Sequence, residues 1–256
     1  MKTVRLLFCS SFALLLFLTI STNVFASTFE GPEETLIKAL DAVVEGNVEE
    51  YVNYVRDERF TAVTEAISSY KQSIENDPLV NYTLLSEEKI DEDHYTYLVE
   101  VEYNSATLQI PYDLVKFNKD WKIFISKKPL KLDEYNVVKN DFDKVSLTSN
   151  NSDEVSIMSG RLIRTFTFNQ KSSTSSPSFN PPSTALILNI SEQTAIGPGI
   201  SYLIVTRSTN ADITIGSRYV SGNRTNHQTS LALSYRPSSV WLEIRGHGKG
   251  NGGLYY

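Results

Sequence analysis

Thiols are almost missing from this chain. Its 256 residues include one cysteine, Cys9, so no internal disulfide can form. Small secreted eukaryotic scaffolds usually depend on such staples. A chain without them folds on its core alone, as an exported bacterial protein can. Long apolar runs are also scarce: one spans residues 6–20, and no second stretch approaches membrane length. That run follows Lys2 and Arg5 and precedes Val24-Phe25-Ala26, the order of basic, apolar and cleavage regions in a secretory signal peptide. Residues 1–26 are therefore expected to be removed after Ala26, leaving a secreted protein without a membrane span. Cys9 opens the run instead of following it, which excludes a lipid anchor of the usual kind.

Proton-transfer groups are scarce in the second half. There are three histidines, His94, His227 and His247, and beyond residue 155 only three acids, Glu192, Asp212 and Glu243. General acid–base catalysis needs a titratable group poised near the working pH. No catalytic residue, metal site or cofactor is assigned, and the chain is read as a non-enzyme. The acidic run at residues 87–93 lacks glycine and the spacing of an EF-hand loop, so it is read as a solvated hairpin.

What is present is a charge reversal. Residues 27–155 carry 27 acidic against 13 basic side chains, a formal charge of −14, whereas residues 156–256 carry 3 against 9, or +6. Such asymmetry governs partner choice more than fold. With the change in periodicity described next, it divides the chain into a signal peptide (1–26), an α+β domain (27–132), a linker (133–157, with room for a short helix in "DEYNVVKNDFDKV") and a β domain (158–256).

The first half reads as helices, then strands. Pro32 suits a first helical position, and Leu36, Ile37, Leu40, Val43 and Val44 share one helix face up to Gly46. Asn47 and Glu50 form a capping pair for a second short helix carrying Tyr51, Val52 and Val55. A third carries Phe60, Val63, Ile67, Tyr70 and Ile74 and ends near Pro78. The period then becomes two, through Val80–Leu84, Tyr95–Tyr103, Leu108–Leu114 and Trp121–Ile125, the mark of antiparallel strands with one buried face.

This order, with "IKALDAVVEGNVEEYVNYV" early and "LVKFNKDWKIFI" late, resembles the NTF2-like (cystatin-like α+β) superfamily over roughly residues 29–130. The resemblance implies a curved antiparallel sheet around a conical pocket, in which the enzymes of that family place Asp, His or Tyr. His94, in "DEDHYTY", alternates with the Tyr95/Tyr97 face and is expected to point to solvent. That departure favours a non-catalytic member.

The last hundred residues are short β runs, "RLIRTFTF", "TALILNI", "SYLIVTR", "DITIGSRYV", "SLALSYR" and "VWLEIRG", separated by Pro, Gly, Ser and Asn. That pattern predicts a β-sandwich or jelly roll, with the polar loop "NQKSSTSSPSFNPPS" leaving one edge free. A turn at Pro237-Ser238 would pair Tyr235 with Val240, Leu233 with Leu242 and Leu231 with Ile244 on a core face. Trp241, Glu243, Arg236 and Arg245 would then share the outer face. A tryptophan among arginines can stack a sugar ring or grip an anion. The expected binding residues are Arg236, Trp241 and Arg245, with Arg207 as an addition. The closing "RGHGKGNGGLYY" has no room for the helix that a phosphate loop requires. It is read as a glycine-rich turn before a short edge strand.

The expected function is non-catalytic binding of an anionic extracellular polymer or glycan by the basic half, with no nucleic-acid partner. The alternatives are an effector acting on a phosphorylated substrate, or a self-associating surface protein. Oligomeric state and ligand identity are not legible.

Overall fold

The computed structural model describes residues 30–140 and 160–256. The expected signal peptide and its cleavage site, and the linker beyond residue 140, lie outside these. Helix α1 (Pro32–Val44) starts on its proline, buries Leu36, Leu40 and Val43, and ends at Gly46 with φ +72°, a conformation glycine adopts without strain. Helix α2 (Val48–Tyr51) has the expected cap. The Asn47 side chain accepts from the Glu50 N–H at 3.2 Å and donates to its carboxylate at 2.8 Å. Val55, expected in this helix, instead follows a 3-10 turn (Val52–Tyr54) into strand β1 (Val55–Asp57). Helix α3 (Val63–Asn76) begins after Phe60, whose ring meets Tyr70 edge-on at 5.9 Å.

Strands β2 (Leu79–Lys89), β3 (His94–Tyr103), β4 (Ala106–Phe117) and β5 (Asp120–Ile125) form an antiparallel meander, and β1 adds to β5 in parallel. Leu108, Ile110, Tyr112 and Leu114 of β4 are buried in strict alternation. Asn118 and Lys119 both have positive φ, as a two-residue hairpin loop of matching twist requires. Residues Asn136–Asn140, expected in the linker, form β6, which pairs with the first part of β4 on the side where β5 pairs with its second part.

The second half holds two four-stranded antiparallel sheets. One has the order β11 (Asp212–Ser221), β10 (Gly199–Arg207), β13 (Trp241–Arg245), β8 (Ser173–Ser175). The other runs β12 (Arg224–Ala232), β9 (Ala185–Ala195), β14 (Gly248–Tyr255), β7 (Leu162–Gln170). They stack through Tyr202 of β10, whose ring lies 5.6 Å from Phe166 and 6.3 Å from Phe168 of β7, while its hydroxyl donates to Gln193 of β9 at 2.8 Å. The protein is thus mostly β, with few helices and several antiparallel sheets, an arrangement compatible with a sandwich in this half.

Three local readings change. The segments around Pro237-Ser238 do not form a hairpin. Residues Leu231, Leu233, Tyr235, Val240, Leu242 and Ile244 are buried as expected, but β12 pairs with β9 while β13 pairs with β10 and β8. Alternation selects the inward side chains. Both inner faces of a sandwich satisfy it equally, so it cannot say which sheet a strand joins. The polar loop after β7 is partly a strand: Ser173–Ser175 becomes β8 and covers β13, while β7 itself ends its own sheet. Four of the five closing glycines, Gly248, Gly250, Gly252 and Gly253, lie within β14, between β9 and β7, rather than in a turn before an edge strand; Gly246 alone lies in the bend that precedes it. An added Cβ at Gly250 would sit 2.5 Å from the Glu192 carbonyl oxygen and 2.9 Å from the Phe168 ring. The missing side chains make room for the Phe166 and Phe168 rings across the strand.

The acidic and basic halves pack as a single unit, Gly31–Tyr256. Leu130 bridges Ile213 through backbone bonds to Asp212 and Thr214 at 2.8 and 2.9 Å, and the Tyr135 hydroxyl donates to the Thr214 carbonyl at 3.1 Å.

Candidate functional site

The β10–β11 turn is where the halves meet. Its residues Ser208-Thr209-Asn210-Ala211 run into the acidic half, and the buried Asn210 side chain ends among three buried tyrosines. The Tyr51 hydroxyl donates to Asn210 Oδ1 and to the Thr209 carbonyl, both at 3.1 Å. Asn210 Nδ2 donates to the hydroxyl oxygens of Tyr103, at 3.2 Å, and Tyr112. Burial pushes the Tyr103 hydroxyl up to about 12 and raises those of Tyr51 and Tyr112 well above the ordinary tyrosine range, so all three stay protonated. The tyrosine cluster of the acidic half is occupied by its own chain. His94 lies elsewhere, on a half-exposed face with Nε2 3.3 Å from Asp113 Oδ1, apart from this cluster.

Beside the turn runs an ion network of alternating sign. Arg59, with a side chain 3% exposed, donates to Asp57 at 2.7–3.0 Å and to Asp212 at 2.8 Å. It also reaches the carbonyls of Ser208 and Thr209 at 3.3 and 3.2 Å. Burial opposes its charge, but its hydrogen bonds to Asp57 and the fields of Asp212 and Asp57 outweigh that, and the guanidinium is held above its ordinary value. Asp212 has a second partner in Arg207, which grips it with two donors at 2.9 and 3.2 Å.

Arg207 also stacks. Val205 lies opposite Trp241 in the β10–β13 register, so Arg207 and Trp241 are diagonal neighbours on the outer face of the sheet. The guanidinium carbon is 5.1 Å from the Trp241 ring centroid and 5.5 Å from that of Phe60. The pair borders two hollows. One, of about 210 Å³, lies between α3 and the basic half and includes Ser73, Asp77, Thr209, Tyr235 and Ser239. The other, of about 330 Å³, lies toward Lys127, Ser175 and Glu243. Both share Ser178, Arg207 and Trp241.

The structure therefore brings Arg207 and Trp241 together and separates the other two expected residues from them. Arg236 donates to the Pro182 carbonyl at 3.1 Å, outside both hollows. Arg245 stands four residues along β13, roughly 13 Å at strand spacing. There Glu243 holds it by two bonds at 2.7 and 3.1 Å. Sequence reasoning missed Asp212, Asp77 and Phe60. Asp212 did carry a signal, being one of three acids in an arginine-rich half. Phe60 and Asp77 carried none, because they reach the cleft from the other half.

Burial raises the Asp77 carboxyl, although Ser105 donates to it through its backbone N–H at 3.1 Å and its hydroxyl. Asp77 is the only carboxyl in the first hollow, and no histidine lines either one. The arrangement offers an aromatic platform, a forked donor and many neutral hydroxyls, which suit holding a ligand. Among the described residues no group of three or more His, Cys, Asp or Glu side chains could hold a metal ion. In comparison with known proteins, no family model matches the chain and no curated protein matches it.

Proposed function

We propose that this is a secreted bacterial binding protein without catalytic activity, and that the cleft around Arg207 and Trp241 holds a glycan or an anionic cell-wall polymer. The observation that supports it is the Arg207–Trp241 pair standing where two hollows meet. Trp241 beside an Arg207 that is anchored by Asp212 and flanked by Phe60 is a preorganised platform. In this reading the acidic half is an NTF2-like module, supported by its helices followed by an antiparallel meander. Its pocket is closed by the Asn210 turn, so ligand binding falls to the cleft between the halves. The second half is a β-sandwich supplying Arg207 and Trp241.

Retention of the full chain on purified cell wall tests the reading. Trp241→Ala should lose retention while keeping the parent circular dichroism spectrum. A variant that stays folded and is retained as well as the parent would reject the cleft as the site. Export is tested separately: intact mass of secreted material should begin at Ser27.

A further inference from the structure

The charges around the cleft narrow its ligand, provided the cleft is the binding site as proposed above. Five charged side chains line the two hollows: Asp77, Lys127, Arg207, Asp212 and Glu243. Three of them are already engaged. Arg207 is bound to Asp212, Asp212 is shared with Arg59, and Glu243 is held by Arg245. Arg59 is in turn balanced by Asp57. Lys127 and Asp77, one of each sign, complete the set. Among the described residues, the lining residues, their direct partners and the Asp57 that balances Arg59 make four cations and four anions, a local charge of zero. The formal +6 of the basic half is not concentrated here.

A polyanion entering this cleft would meet no net attraction. At Arg207 it would have to share a guanidinium whose charge Asp212 already offsets through two donors, and face the carboxylates of Asp77 and Glu243. A neutral polyol meets no such penalty. It can lay a ring on Trp241 and exchange hydrogen bonds with Ser73, Ser178 and Ser239 while the ion pairs stay intact. We propose that the cleft takes an uncharged, hydroxyl-rich sugar chain and discriminates against anionic polymers.

The test uses the full chain in affinity electrophoresis and fluorescence titration. Neutral probes are dextran and the hexasaccharides of cellulose, chitin and xylan. Anionic probes are dextran sulfate and polyglycerol phosphate. At least one neutral probe should bind, with affinity changing less than about twofold between about 50 and about 500 mM NaCl. Trp241→Ala should weaken that binding roughly tenfold or more. Parent circular dichroism and Trp121 emission would show the variant folded. If the anionic probes bind more tightly than the neutral ones, with steep loss at high salt and dependence on Trp241, the ligand class is wrong and the cleft reading stands. If no probe binds, or binding survives Trp241→Ala, both are overturned.

Discussion

Replacing Asn210 with alanine should weaken the coupling between the two halves. The side chain is buried, accepts from Tyr51, and donates to Tyr103 and Tyr112. Alanine leaves the Tyr51 hydroxyl its bond to the Thr209 carbonyl. It strips the donor from two other buried hydroxyls. A buried polar group left unpaired costs about 1–3 kcal/mol, so the loss is about 2–6 kcal/mol, and relaxation of the turn brings the expected value to about 2–4 kcal/mol. For a chain of this size that lowers the melting temperature by roughly 5–15 °C. Urea unfolding is followed in single-tryptophan forms, with Trp121 reporting the acidic half and Trp241 the basic half. In the parent the two transitions should coincide, since both halves belong to one unit. The asparagine's role is isolated by a double-mutant cycle with Tyr112→Phe. Once Asn210 is gone, removing the Tyr112 hydroxyl should cost less than in the parent, because the hydroxyl has already lost its partner. A loss below about 0.5 kcal/mol for Asn210→Ala, or strict additivity in the cycle, would refute this account of the interface.

Other outcomes follow from the same contacts. Arg59→Leu should cost about 3–5 kcal/mol in urea unfolding, because Asp57 and Asp212 lose their buried countercharge. Arg59→Lys should recover only part of this, since an ammonium cannot reach two carboxylates and two carbonyls at once. Burial, with Arg224 and Arg218 nearby, holds His227 below its ordinary value. The folded state therefore binds fewer protons than the unfolded one, and the contribution of His227 is full above the ordinary histidine value and lost as pH falls from there through the lower folded value. His227→Gln should flatten the decline of melting temperature between about pH 7 and pH 5, and an unchanged slope would count against that assignment. Gly250→Ala should destabilise by about 2 kcal/mol or more, as its Cβ meets the Glu192 carbonyl and the Phe168 ring. Gly197→Ala, with φ +139° but open surroundings, should cost only about 1 kcal/mol of backbone strain.

Periodicity and capping decided much of this protein at the level of single elements. The first helix between Pro32 and Gly46, the Asn47–Glu50 cap, the alternation along β4 and the turn at Asn118-Lys119 follow from local rules acting over a few residues. So does the division into inward and outward side chains around Pro237, where every residue expected in the core is buried. Pairing was decided elsewhere. Whether β12 meets β13 or β9, and whether glycines make a turn or a central strand, depends on which distant backbone lies 5 Å away, roughly one strand spacing. Alternation is the same in either case. The cleft needed the tertiary structure for the same reason. Arginines that appear equivalent in sequence differ once folded: Arg207 is placed over Trp241 and bound to Asp212, whereas Arg245 is held by Glu243 four residues further along. A charge count over a hundred residues could report +6, but only the folded contacts show that Arg207 and Arg245 are each matched by an acid, Asp212 and Glu243, so that the excess lies away from the cleft.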